Sequence, residues 1–309
     1  MRERLGIIGI VAFVALDVVL VFLAVRHTQA TPPESNIDRT VAQTQGAESP
    51  NRQDEESPDG ESGPSEDPTE PGSDSDEPTY MSVASDASYI RATRGSCEQA
   101  TAPTVETSTD QGRTFQQANV SNLTEVLRVQ ANGADDLWLV GTNRNCEMGL
   151  YATQDGGETW RRSRGSAGAW HLVRDRSRSQ IHAPSGVLDT PCVPISLSTI
   201  DAGVLRILCE AGQIVGTSDE GASWVTLGRL DGAVAIRFTS PGDGYAVAAR
   251  GGCAAAVMET ADGGSSWEEL TCLGKGQPRS VAAEGDIRAA LVDGDLHVSS
   301  DNGSTWEVR

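Results

Sequence analysis

The stretch ATQDGGETW, residues 152–160, decides the fold. It sets out Thr153, Asp155, Gly157, Thr159 and Trp160 in the order hydroxyl-x-Asp-x-Gly-x-hydroxyl-aromatic. Four other stretches keep that order: STDQGRTF (108–115), TSDEGASW (217–224), TADGGSSW (260–267) and SSDNGSTW (299–306). Aspartate bonds its own downstream backbone in an Asx-turn, and glycine supplies the positive φ of a tight turn. The hydroxyls satisfy exposed backbone groups, and the aromatic folds back into a core between sheets. The spacing predicts one turn built five times, by Asp110, Gly112 and Phe115; Asp155, Gly157 and Trp160; Asp219, Gly221 and Trp224; Asp262, Gly264 and Trp267; and Asp301, Gly303 and Trp306. The aromatics read as structural pins, not as a platform for ligands.

The sequence around each turn reads as strands. In residues 135–162, LWLVGT, GLYATQ and ETWRR are three short strands parted by turn residues, and residues 244–270 and 286–309 repeat the arrangement. The aspartates recur mostly at a period of about 40 residues, which is the length of a four-stranded propeller blade. This predicts an all-β chain: a propeller of about five four-stranded blades. The period breaks between Asp155 and Asp219, where residues 165–192 are either a long loop or a sixth blade without the turn.

The five stretches resemble the Asp boxes, or BNR repeats, of sialidases, sortilin-type propellers and photosystem II assembly-factor propellers. The likeness covers about residues 80–309 and concerns fold, since the box of that superfamily is a structural turn at the blade's periphery. From sialidases it implies three arginines holding a carboxylate, a tyrosine nucleophile supported by glutamate, an aspartate acid/base, and an Arg-Ile-Pro motif. This chain has no Arg-Ile-Pro, and Tyr80, Tyr89, Tyr151 and Tyr245 lie in or near expected strands without an obvious glutamate partner. A catalytic residue set is therefore not legible, and the reading leans away from an enzyme.

Upstream of the repeats the composition changes twice. Residues 5–25, LGIIGIVAFVALDVVLVFLAV, are apolar over a length that crosses a bilayer as a helix. They read as a signal anchor with residues 1–4 cytoplasmic, cleavage near Ala30 to release a secreted chain being the alternative. Asp17 within that run costs on the order of 3 kcal/mol at mid-bilayer. Residues 26–79 are rich in Pro, Ser, Gly, Asp and Glu and hold too little apolar surface to fold, so they form a disordered acidic linker. Much of the net charge of −20 comes from this linker. Nucleic acid is excluded as a partner, since it calls for clustered Lys and Arg. Lys275 is the chain's only lysine; arginine in its place, with abundant Ala and Gly, fits a GC-rich bacterial genome.

The six cysteines, Cys97, Cys146, Cys192, Cys209, Cys253 and Cys272, all follow the linker, and none forms a CxxC or pairs with histidine at metal-ligand spacing. No metal and no cofactor are expected. An even number beyond a hydrophobic leader predicts disulfides in an oxidising compartment. Placed on strands, the pairs are Cys97–Cys146 between the first two blades, Cys192–Cys209 across two antiparallel strands, and Cys253–Cys272 between the third and fourth strands of one blade.

One constellation remains. Arg128 in EVLRVQA, Arg237 in AVAIRFTS and Arg279 in QPRSVAA each fall in the first strand of a blade, and first strands line a propeller's channel. Guanidinium groups suit bidentate capture of carboxylate or phosphate. His171, His182 and His297 have no metal-like neighbour pattern, and Arg174, Arg176 and Arg178 form a small basic, solvated stretch. The functional expectation is a non-catalytic binding or scaffold module at the cell envelope, membrane-anchored, with a protein or polysaccharide partner. The alternative is a sialidase-like hydrolase of acidic sugars.

Overall fold

A computed structural model describes residues 79–163, 169–173 and 178–309. The expected anchor, the linker up to residue 78 and most of the basic stretch lie outside the described residues. Among those described, no helix is long and apolar enough to cross a membrane.

Among the described residues the regular structure is antiparallel sheet, in six blades whose strands follow one another outward from the axis. Blade I comprises β1 (Thr79–Val83), β2 (Tyr89–Thr93), β3 (Val105–Ser108) and β4 (Gln116–Gln117). Blade II has β5 (Leu123–Ala131), β6 (Leu137–Asn143), β7 (Met148–Thr153) and β8 (Arg161–Ser163). Among the described residues blade III has three strands, β9 (His171–Leu172), β10 (Gln180–Ala183) and β11 (Gly186–Asp189). Blade IV runs through β12 (Pro194–Thr199), β13 (Leu205–Cys209), β14 (Gln213–Thr217) and β15 (Val225–Arg229). Blade V holds β16 (Ala233–Phe238), β17 (Gly244–Arg250), β18 (Cys253–Thr260) and β19 (Glu268–Cys272). Blade VI holds β20 (Pro278–Glu284), β21 (Ile287–Val292), β22 (Asp295–Ser299) and β23 (Glu307–Val308).

Six blades correct the expected five. The tract that breaks the period folds as blade III, whose strands are two to four residues long and end in no Asp-Gly turn. With no box and no full strands, it leaves no period to count.

Burial explains which residues form which strand. Second strands face neighbouring blades on both sides, so LRILC of β13 is buried throughout and β21 is buried after its first residue. Fourth strands are sheet edges: β8 and β15 are largely exposed and carry Arg161, Arg162 and Arg229. Short, charged edges resist pairing with other chains.

The repeated turn is the same network each time. In blade II the Thr153 hydroxyl donates to Asp155 Oδ1 at 2.6 Å and accepts from Gly157 N at 3.1 Å. Asp155 also accepts from Thr159 N at 2.9 Å and from the Thr159 hydroxyl at 2.5 Å. Asp110, Asp219, Asp262 and Asp301 repeat these bonds. Bonds donated to the ionised form hold the carboxylates down: Asp155 to about 2, through Thr153 first and then Thr159. Asp262 and Asp301 also fall to about 2, and Asp110 and Asp219 shift the same way.

Each turn then places its aromatic against the preceding blade. Trp160 packs between blades I and II, Trp224 between III and IV, Trp267 between IV and V, Trp306 between V and VI, and Phe115 between VI and I. Each of these aromatics is half-buried against its seam. Among the described residues the ring closes by packing: β1 and β23 stay in their own sheets, while Met81, Val83 and Tyr89 meet Ala282, Leu291 and Leu296.

Blade III has no such turn, and among the described residues the seam between blades II and III has no apolar cluster. Arg128 crosses it to the Trp170 carbonyl, and His171 meets Met148 there. The three disulfides are the expected pairs, Cys97–Cys146, Cys192–Cys209 and Cys253–Cys272. None crosses the II–III seam.

Candidate functional site

The first strands of all six blades surround a cavity of about 360 Å³ on the axis. They run the same way round the ring, since Ser196 Oγ accepts from Ile236 N at 3.2 Å and Ser198 Oγ from Phe238 N at 2.7 Å. Ser82 likewise accepts from Ala131 N at 3.1 Å. Alternate side chains of a first strand thus satisfy the backbone of the next blade.

Arg128 and Arg237 occupy the same kind of position with a longer reach. Arg128 Nη1 donates to the Trp170 carbonyl at 2.8 Å, and Nη2 donates to Thr199 Oγ1 at 2.5 Å. Blade III begins with a two-residue strand, so the guanidinium spans it and reaches blade IV. Its plane lies near the Trp138 ring, 4.8 Å from the centroid. Arg237 Nε donates to the Ala283 carbonyl at 3.4 Å, with Glu284 at 3.8 Å from Nη2. Both heads therefore lie at the end of the channel where the first strands finish. Burial, and then the charge of Arg237, lower Arg128 to about 9. Burial also lowers Arg237, against the opposing pull of Glu284.

Arg279 lines the same cavity from the start of β20. It stands at a bulge, between Pro278 and Ser280. Leu127, Ile195 and Val234 occupy the matching bulges of β5, β12 and β16. Arg279 also lines a groove of about 240 Å³ with Arg91, Glu106 and Asp293. The channel thus brings Arg128 and Arg237 to one end and sets Arg279 towards the other.

The tyrosines need one correction. Tyr245 does have a glutamate partner: its hydroxyl donates to Glu259 Oε1 at 3.2 Å, with the Arg288 guanidinium 4.2 Å from its ring centroid. The two are cross-strand neighbours on β17 and β18, a pairing invisible until the register is known. Tyr245 is 5% exposed between blades V and VI, and burial raises its pKa, which is wrong for a nucleophile. Tyr80 alone of the four lines the channel, and Tyr89 is fully buried and raised to about 12 by that burial. Among the described residues no three His, Cys, Asp or Glu side chains cluster as a metal site.

Six contiguous four- or three-stranded blades about a lined channel define a β-propeller. No known family profile matches the chain, and no curated protein matches it. Solved structures do resemble it. YCF48 bound to D1 peptide is 20% identical over 62% of this chain and 56% of that chain, with a TM-score of 0.32. YCF48 from Cyanidioschyzon merolae is 18% identical over 74% and 70%, with a TM-score of 0.33. The Aleuria aurantia lectin in complex with Fucalpha1-6GlcNAc is 11% identical over 75% and 94%, with a TM-score of 0.49. The chain spans little more than half of the peptide-bound YCF48 chain.

Proposed function

We propose that the protein is a non-catalytic binding or scaffold module at the cell envelope: an Asp-box propeller, anchored through residues 5–25 and held off the membrane by the acidic linker. One observation carries the reading. Arg128 and Arg237 line the same channel cavity, and among the described residues Arg128 donates to neutral oxygens, the Trp170 carbonyl and the Thr199 hydroxyl. Two guanidiniums in a poorly solvated lining favour an anion, and their planar forks fit a carboxylate. The partner is accordingly a protein or polysaccharide presenting acidic groups. Three disulfides support an oxidising, extracytoplasmic compartment.

Calorimetry of the full chain with polyglutamate and with a polyuronate tests this. Binding weakens with salt and falls at least about tenfold in Arg128→Gln and Arg237→Gln, the loss expected for a charge-assisted contact. Affinity unchanged in both variants refutes the channel as the site. Arginine-dependent hydrolysis of a sialoside would instead establish the glycosidase alternative.

A further inference from the structure

The charges around the channel are one-sided. Among the described residues, the charged side chains that line it are Arg128, Arg237 and Arg279, with no carboxylate between them. Glu284 comes within 3.8 Å of Arg237 but lies outside that lining. Packing does not call for a charge at such positions, since Ser82, Ser196 and Ser198 satisfy the next blade from first strands with hydroxyls. In the groove beside the channel, by contrast, Arg91 pairs with Glu106 at 2.7 Å and Asp293 stands with Arg279. Lys275 is exposed three residues ahead of Pro278, where β20 begins.

The chain enters the propeller at the same cavity. Thr79, the first residue of β1, lines both the channel and the groove. It is reached through EPGSDSDEP, residues 70–78, which carries Glu70, Asp74, Asp76 and Glu77, and no Lys or Arg occurs between Arg52 and Arg91. One residue spans at most about 3.6 Å, so Glu77 is held within about 7 Å of Thr79 and Asp74 within about 18 Å. The first strand β20, seven residues long, covers about 23 Å. Tethering of this kind sets an effective concentration on the order of millimolar.

We propose that residues 70–77 dock beside Arg279 at the end of the channel where the first strands begin, as a tethered acidic competitor that an incoming partner must displace. The proposal rests on the channel reading, since both occupants use the same guanidiniums. Pro71 and Pro78 lack an N–H, so the contact is made by side-chain carboxylates and not by an added strand. Displacement sets a threshold. A lone carboxylate in solution does not match four on a tether, whereas a partner presenting several in a row does. The leader therefore restricts the channel to polyacidic partners.

Because Lys275 is the chain's only lysine, a water-soluble carbodiimide tests the docking directly in the full chain held in detergent micelles. Peptide mapping of the monomer is expected to find an amide between Lys275 and Glu70, Asp74, Asp76 or Glu77. Its yield falls at least about threefold in Arg237→Gln/Arg279→Gln, as for an equilibrium that occupied two thirds of the chains. The second measurement leaves the propeller unaltered: with Glu70→Gln, Asp74→Asn, Asp76→Asn and Glu77→Gln together, polyglutamate binds at least about threefold tighter than to the parent. Equal amide yields, or equal and measurable polyglutamate affinities, overturn the docking and leave the channel reading standing. If polyglutamate binds neither chain, the channel reading falls, and the amide yield alone decides whether the leader docks.

Discussion

Two glycines separate what the repeated turn demands of the backbone from what it demands of packing. Gly303, in the last turn, and Gly252, in the β17–β18 hairpin, share a φ of +89°. A Cβ on Gly252 meets nothing within 4 Å, so Gly252→Ala reports the left-handed backbone alone, about 1–2 kcal/mol. A Cβ on Gly303 would strike Leu270 Cδ2, with Leu270 Cγ at 3.1 Å and Cδ1 at 3.4 Å, so the whole isobutyl group must turn. Leu270 packs beside Trp306 in the V–VI seam, where overpacking adds about 1–3 kcal/mol. Gly303→Ala should therefore cost about 2–5 kcal/mol in all. The gain from a less flexible unfolded chain is similar for both and cancels in the comparison. Urea unfolding followed by tryptophan fluorescence reads the difference, with equal slopes as the check on a common two-state transition. If Gly303→Ala is no more destabilising than Gly252→Ala, the turn does not press its blade against the one before it.

Acid titration is the second prediction. The turn aspartates have folded pKa values below their unfolded ones, so their stabilisation is complete above about pH 4 and is lost as pH falls towards 2. Melting temperature should drop over that window, and Asp262→Asn, already destabilised at neutral pH, should show a shallower drop. Amide hydrogen exchange gives the third: β9–β11 should exchange faster than the matching strands of blade V, whose two seams both hold apolar clusters. Uniform protection around the ring would contradict a weak II–III seam.

The turns, most strands and all three disulfide pairs were legible because each rests on local chemistry: an Asx-bonded turn, period-two alternation, and cysteines on adjoining strands. Blade III was legible only as one of two readings, a long loop or a sixth blade, because its strands are too short to alternate and its buried aromatic, Trp170, is not announced by a turn. Trp170 immediately precedes β9, and its Nε1 donates to the Ala202 carbonyl of the next blade. The arginines' placement on first strands was readable, but their grouping was not. Arg279 falls on a bulge and Arg237 near a strand end, a difference set by register. The Tyr245–Glu259 pair and the His171–Met148 contact are likewise products of register and of blade neighbours.

The missing turn and the channel arginine are linked through geometry. Where four-stranded blades meet, an aromatic from the later blade fills the seam; blade III offers none, and the earlier blade supplies Arg128 in its place. A guanidinium has five N–H donors, and Arg128 commits one to Trp170 and one to Thr199, both across the seam. An acidic ligand in the channel can take remaining donors without displacing those ties. It would also neutralise the repulsion from Arg237, so binding should tighten the weakest seam of the ring. Exchange protection of β9–β11 that rises with polyglutamate in the parent chain, and does not rise in Arg128→Gln, is the outcome this coupling requires.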